Sequence, residues 1–487
     1  MTLTLATRLG QFATSSTFDT LPDEVIDSVR HRVLDVLGIC VAAAPLDTSR
    51  GARRFALEQG GRGLAYAVGV PDTLPAPLAA LVNGVLAHSL DYDDTHLPSV
   101  LHPSATVVPA ALAAAQATGA SGEETIAAIA CGLEVCVRTG MAGYDQAAGT
   151  SVFFEHGQHA TSICGALGGA VSAALLYGLG AEGVTHALGV AASMASGLIE
   201  ANRTGGTVKR LHCGWAASSA VSAAQLVRHG FTGPPTVLEG RFGFYQAWLH
   251  GQFDAGAITD GLGEQWAVPG IFFKPYPANH FTHAGIDAAR SLREQGLALD
   301  DIASLHLGVA APTVRTIGEP IEVKRTPETG YMAQFSGPYT VVAGLLGGGG
   351  LGVGLDDFTD ELARDPRRRE LMALVDVVAD ERCTKIFPHQ FPAVLTAQTR
   401  SGHELVAEVL VNRGGPDRPL SYEELGTKFT DNAGRMLPWE TVERLRDRVG
   451  RLDRLDDVST LLEPLRDVDP LDHVDPDHPD HPDRATV

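Results

Sequence analysis

The sequence predicts a mainly α protein. A large all-helical domain is built from both chain ends, and a smaller α+β domain is inserted into it. Three observations carry this reading. Apolar residues recur at helical spacing through the first 268 residues, in runs rich in Ala, Ser and Gly. Near residue 268 the pattern changes to short apolar segments bounded by turn residues. Helical spacing then returns near residue 416. The expected divisions are 1–268 and 416–465 for the helical domain and 269–415 for the insertion. The Asp/His/Pro-rich tail, 466–487, has too few apolar residues to order.

Composition bounds the function. The 487 residues are 44% hydrophobic and 20% charged, enough for a large core. A formal net charge of -21 argues against nucleic acid or an anionic membrane as partner. An acidic substrate would therefore need its own gathered lysines. Cys40, Cys131, Cys136, Cys164, Cys213 and Cys383 lie in apolar patterns without a CxxC and read as buried, reduced thiols. The first residues lack a basic region followed by an apolar core, so no signal peptide is read. The Ala-rich runs are interrupted before about twenty residues, so no membrane span is expected. Together these point to a cytoplasmic protein.

The elements follow in order. Pro22, Asp23 and Glu24 open a helix that continues through Val25, Ile26, Val29, Val33 and Cys40. A buried helix is read from Pro77 to Leu90, and His88, Asp91 and Thr95 share one face if it continues. Ala105–Ala117 is the next helix. Ser121 and Glu124 form a capping box for the one after it. Small-residue helices are expected from His159 to Leu179, Thr185 to Ile199 and Gly214 to His229, packed closely around a central one. In the insertion, Gly285–Glu294 reads as a helix. Leu305–Val309, Val375–Ala379, Ala393–Thr399 and Glu404–Val411 read as strands, the last two joined at Ser401-Gly402.

Two glycine motifs carry no nucleotide-site context. Gly178-Leu179-Gly180-Ala181-Glu182-Gly183 matches GxGxxG but follows a helix, not a strand. Gly347 to Gly350 is not followed by GK[ST].

The stretch from Asn83 to Ser104 is different. Asp91, Asp93 and Asp94 stand among His88, His96 and His102 in otherwise small, apolar sequence. Three readings are open: helix capping and loop structure, a metal site without HExxH-type spacing, and acid–base chemistry without metal. Acid–base work is favoured, and it needs cations. Val208-Lys209-Arg210-Leu211-His212 supplies one set in a Gly-flanked loop. Lys274-Pro275-Tyr276-Pro277-Ala278-Asn279-His280-Phe281-Thr282-His283 supplies another where the pattern changes.

These stretches together resemble the MmgE/PrpD family over nearly the whole chain. The likeness rests on Ala87-His88-Ser89-Leu90-Asp91-Tyr92-Asp93-Asp94-Thr95, His102-Pro103-Ser104, His159-Ala160-Thr161, Val208–Gly214, Gly230–Pro235, Lys274–Pro277 with His283, and Gln334–Tyr339. The resemblance implies that the inserted α+β domain is a lid, and that the protein is a homodimeric lyase, or a related isomerase, acting on a small polycarboxylate with neither an iron–sulfur cluster nor an organic cofactor. 2-Methylcitrate dehydratase, cis-aconitate decarboxylase and iminodisuccinate epimerase activities occur in the family. It further implies that Asp91, Thr95, His102, Lys209 and a histidine of the Lys274–His283 stretch line the pocket. His283 matches the pattern better than His280.

The expected catalytic set is His102, Asp91, Lys209 and His283. Thr95, Lys274, His159, His212 and His280 are expected to bind substrate, and no residue is assigned to a metal. The competing classes are a metal-dependent hydrolase using Asp91, Asp93, His96 and His102, and a non-catalytic carboxylate-binding protein.

Overall fold

The structure is a computed structural model that describes residues 3–201 and 205–469. It is mainly α and divides into two compact units, Met1–Gly270 with Asn432–Val487, and Ile271–Asp431.

The first unit opens with α1 (Leu5–Ser15), α2 (Asp23–Ala43), α3 (Asp47–Gln59) and α4 (Ala76–Ala87). It continues with α5 (Ser104–Thr118), α6 (Gly122–Ala142), α7 (Ala160–Leu176), α8 (Gly180–Met194) and α9 (Val208–Arg228). Helix α7 packs against α5, α6, α8 and α9. Its glycines explain how. A Cβ on Gly165 would stand 2.9 Å from Thr106 of α5, and one on Gly168 2.4 Å from the Gly132 carbonyl of α6. The α6 N-terminus has the full capping box of Ser121 and Glu124.

Three expectations change here. By length and composition α6 could cross a membrane, contrary to the reading of the interrupted Ala-rich runs. Its apolar stretch is 94% buried within the protein, and the helix carries the buried Glu134–Arg138 ion pair. Residues 466–469, expected in the tail, are also ordered. The Arg53 side chain has no solvent exposure, and its Nη1 and Nη2 donate to Val468 O, Asp469, Ala44 O and Gly69 O. The remainder of the expected tail lies outside the described residues. Finally, α9 starts at Val208 rather than Gly214, which puts Lys209 and His212 on a helix instead of a loop.

The second unit holds a four-stranded sheet. Its strands are β1 (Ile302–Val309), β2 (Val375–Ala379), β3 (Ala393–Thr399) and β4 (Glu404–Val409), in the order β2-β1-β3-β4. β1 runs parallel to β2 and antiparallel to β3, and β3 pairs antiparallel with β4. The last hairpin closes on Thr399 and His403 with Gly402 at φ 89°, so its turn is longer than two residues. Helices α10 (His283–Glu294) and α11 (Gly337–Leu346) pack on each other, and α10 lies on β3 and β4. This unit runs past residue 415, where the sequence ended it. Leu420 and Leu425 are buried in its core, and Arg413 pairs with Glu424.

Candidate active site

Helix α4 stops at Ala87, so His88, Asp91 and Thr95 do not share a helical face as the continued periodicity suggested. His88 is the C-cap, and Asp91 takes a left-handed conformation at φ 51°, which few residues other than Gly, Asn and Asp tolerate. The chain then makes a closed loop. His96 and Leu101 exchange backbone hydrogen bonds of 2.8 and 3.3 Å, and His96 Nδ1 meets Ser99 Oγ at 2.6 Å.

Asp94 anchors this loop to the helices. Its Oδ2 accepts from Arg32 Nη1 of α2 at 2.6 Å and from the Ser104 hydroxyl, and its Oδ1 accepts from Ser104 N at 3.2 Å. Both side chains of the Arg32–Asp94 pair are buried. Burial pushes the Asp94 carboxyl up, and Arg32 opposes that shift.

His102 Nδ1 lies 2.6 Å from the Asp94 carbonyl and 3.4 Å from Thr95 Oγ1. A carbonyl can only accept, so Nδ1 holds a proton and Nε2 is the atom that gains or loses one. The His102 backbone N–H donates to Thr161 Oγ1 at the start of α7.

Lys209 Nζ donates to Asp91 Oδ1 at 3.1 Å. Lysine at a helix N-terminus opposes the macrodipole, and the first turn of α9 has no acidic residue of its own. Asp91 supplies the compensating charge. One turn along α9, His212 Nδ1 meets His159 Nδ1 at 2.9 Å. His159 stands at the α7 N-cap position but makes no capping bond; its partner is His212. Burial, then His88, lowers His159 well below the ordinary imidazole range. Burial, then His88 and Lys209, lowers His212 to about 4. A cavity of about 340 Å³ is lined by His212, Ser162, Ser196, Gly197, Leu211 and Trp215, with Val208. A cavity of about 420 Å³ elsewhere includes none of these histidines.

Two residues outside the expected set complete this cluster. Asp93 Oδ2 accepts from His88 Nδ1 at 2.7 Å and lies 3.7 Å from His102 Nδ1. The His88 ring centroid is 5.2 Å from that of His102 and 5.6 Å from that of His159. The unusual density of His and Asp signalled this stretch, but nothing in the spacing singled out His88 and Asp93 as partners.

The structure thus brings Asp91 to Lys209, Thr95 to His102, and His159 to His212. Among the described residues no group of three or more His, Cys, Asp or Glu is placed to hold a metal ion. The four residues Asp91, Asp93, His96 and His102 have separate partners: Lys209 for Asp91, His88 for Asp93, Ser99 for His96 and the Asp94 carbonyl for His102.

Lys274, His280 and His283 lie in the second unit, all buried. The rings of His280 and His283 are 4.6 Å apart. His283 Nε2 meets the Ala278 carbonyl at 3.0 Å, so Nε2 carries a proton and Nδ1 is its titrating atom. Tyr276 packs edge-on to His283, and its hydroxyl is held by Asp287 at 2.5 Å and Arg290 at 2.8 Å.

A helical unit with a His/Asp/Lys cluster and an α+β second unit define the class, and family comparison gives it a name. The MmgE/PrpD N-terminal domain matches residues 7–255, and the MmgE/PrpD C-terminal domain matches residues 276–454. The chain belongs to the MmgE/PrpD family. It is 29% identical over 452 residues to a cis-aconitate decarboxylase of Homo sapiens, covering 89% of this chain and 88% of that one. It is 26% identical over 460 residues to a cis-aconitate decarboxylase of Aspergillus terreus, covering 91% and 92%. A mitochondrial 2-methylcitrate dehydratase of Yarrowia lipolytica is 27% identical over 175 residues, 35% of this chain and 32% of that one.

Proposed function

We propose that this protein is a lyase that acts on a small polycarboxylate by acid–base chemistry, with decarboxylation as its reaction. The observation that carries the proposal is the pairing of a tautomer-fixed imidazole with a nearby cation system. His102 is locked through Nδ1 to the Asp94 carbonyl, and Lys209 is held by Asp91. The likeness to the two decarboxylases spans most of each chain, whereas the match to the dehydratase covers a third of it, which favours loss of carbon dioxide over loss of water.

In this reading a substrate carboxylate leaves as carbon dioxide. The C–C electron pair stays on carbon, delocalised toward a neighbouring carboxylate. His102, in its imidazolium form, delivers the Nε2 proton to that carbon and regains a proton from solvent. Lys209 stabilises the developing negative charge, Asp91 orients the lysine, and Thr95 steadies His102. His159 and His212 offer hydrogen bonds to substrate. The second unit, taken by itself, offers Lys274 as a carboxylate-binding group and His283 as an acid or base through Nδ1, with His280 beside it.

The test is a panel of di- and tricarboxylates in deuterated water, followed by proton NMR. Decarboxylation leaves one deuterium on the product carbon. Water loss, or α-proton exchange without net conversion, would replace the decarboxylase reading with a dehydratase or an epimerase. His102→Ala and Lys209→Ala should each lower turnover by roughly 10² or more. Near wild-type rates in both would refute these roles.

A further inference from the structure

His88 takes no part in the proton transfer just described, yet it sits at the centre of the residues that do. Its side chain and that of Asp93 have no solvent exposure. Asp93 Oδ2 is 2.7 Å from His88 Nδ1 and 3.7 Å from His102 Nδ1, so one carboxylate stands between two imidazoles. The His88 ring also neighbours His159, whose own ring is 4.8 Å from that of His212. The titratable and charged groups about it come from three elements. Asp93 and His102 belong to its own loop, His159 to the start of α7, and Lys209, His212 and Cys213 to the first turns of α9.

A buried carboxylate without a counter-charge is costly, and a neutral His88 would not provide one. The His88 position favours a cation for a second reason. It is the C-cap of α4, where the helix macrodipole is negative. Burial works against the charged ring, but Asp93 and then Cys213 outweigh it and raise His88 to about 10. The neighbouring imidazoles respond in the opposite sense, His88 being the leading charge that depresses both His159 and His212.

We propose that His88 is a positioning residue, a standing imidazolium whose pairing with Asp93 sets the proton count of the whole histidine cluster. It cancels the Asp93 charge felt by His102, and it keeps His159 and His212 neutral so that they meet substrate as hydrogen-bonding groups and not as cations. This rests on the reading of His102 as the proton-transferring group, but the charge state of His88 is measurable without any turnover.

The experiment is a titration of the histidine Cε1–H resonances in the full chain, for the wild type, His88→Gln, Asp93→Asn and the double variant, alongside the pH dependence of kcat/KM. In the wild type His88 should remain an imidazolium up to about pH 8 or beyond. Asp93→Asn should lower its midpoint by roughly two units or more. In His88→Gln the midpoint of His212 should rise by about one unit, and the limb of the activity profile that His102→Gln abolishes should move to higher pH by a similar amount. Removing both charges in the double variant should return that limb toward its wild-type position, which a loss of packing alone would not do.

A His88 that titrates near 6.5, or is neutral at pH 7, would overturn the proposal, as would an unmoved limb in His88→Gln. Should His88→Gln fail to fold, the wild-type and Asp93→Asn titrations decide the matter by themselves. Full turnover in His102→Ala would instead refute the proton-transfer reading and leave the charge of His88 as measured.

Discussion

Replacing Arg32 by Met should destabilise the helical unit strongly, and the cost should depend on pH. Arg32 and Asp94 are each 1% exposed, with Nη1 and Oδ2 2.6 Å apart, and Arg32 Nη2 also donates to the Val268 carbonyl at 3.1 Å. At an effective dielectric of about 20 the attraction at that distance is roughly 6 kcal/mol, most of it offset by desolvation of the two ions. Deleting one partner is a different matter. Met keeps the volume of the stem but leaves Asp94 buried with only neutral donors such as Ser104, and a broken buried pair costs about 3–5 kcal/mol. The Asp94 carboxyl is already raised by burial against the pull of Arg32, and without Arg32 it rises further. A folded-state value above the unfolded one favours the protonated form. The deficit is therefore largest at high pH and shrinks as pH falls toward the folded value. Urea unfolding of both proteins at pH 8 and pH 5.5 measures this. We expect a deficit of about 3–5 kcal/mol at pH 8, smaller by roughly 1 kcal/mol or more at pH 5.5. A deficit below about 1 kcal/mol at pH 8, or an equal one at both pH values, would refute the reasoning.

Acid should destabilise the wild-type fold through its neutral histidines. Burial lowers His96 and His212 to about 4, Arg32 adding to the first and His88 and Lys209 to the second. Their contribution is complete above about pH 6.5 and is lost as pH falls toward 4, so Tm should drop across that window, and less steeply in His212→Gln. A flat Tm between those limits would contradict both assignments. Gly84→Val should loosen the contact between α4 and α9, because even its Cβ would lie 2.7 Å from Gly214 Cα and 2.8 Å from the Cys213 carbonyl. Overpacking of this kind costs about 1–3 kcal/mol, and turnover should fall with it; unchanged Tm and unchanged turnover would show that the close approach does not matter.

Much of the architecture was legible because helical periodicity and capping are local. Asp23–Ala43 and the Ser121–Glu124 box could be read from neighbouring residues alone. The failures were local rules overridden from a distance. The α4 pattern ran on to Leu90, but the helix stops at Ala87 and the chain then turns left-handed at Asp91, whose carboxylate meets Lys209, 118 positions away in the chain. The second unit was cut at residue 415 because Ser421-Tyr422-Glu423-Glu424 reads as the start of a new helical run, whereas Leu420 and Leu425 about it are buried in the core of that unit. Within the candidate site, residue types were legible and partnerships were not. Asp93 and Asp94 are adjacent and chemically identical, yet one joins two imidazoles and the other holds Arg32.

The small residues that looked like mere filler are what bring these partners together. Helices α4 and α9 approach backbone to backbone at Gly84 and Gly214, where a Cβ on Gly214 would stand 2.4 Å from the Leu81 carbonyl. Gly84 lies one turn before the C-terminus of α4, and Gly214 lies two residues after His212 near the N-terminus of α9. A contact so close leaves little freedom in the spacing of the chain just beyond it. His88 and Asp91 emerge from the negative end of one helix, Lys209 and His212 from the positive end of the other, and each charge sits where the opposite helix end or an opposite side chain answers it. Ion pairing alone would not hold such a cluster, since its members are buried and costly to desolvate. The glycine contact fixes the geometry first, and the charges are tolerated because that geometry already supplies their partners.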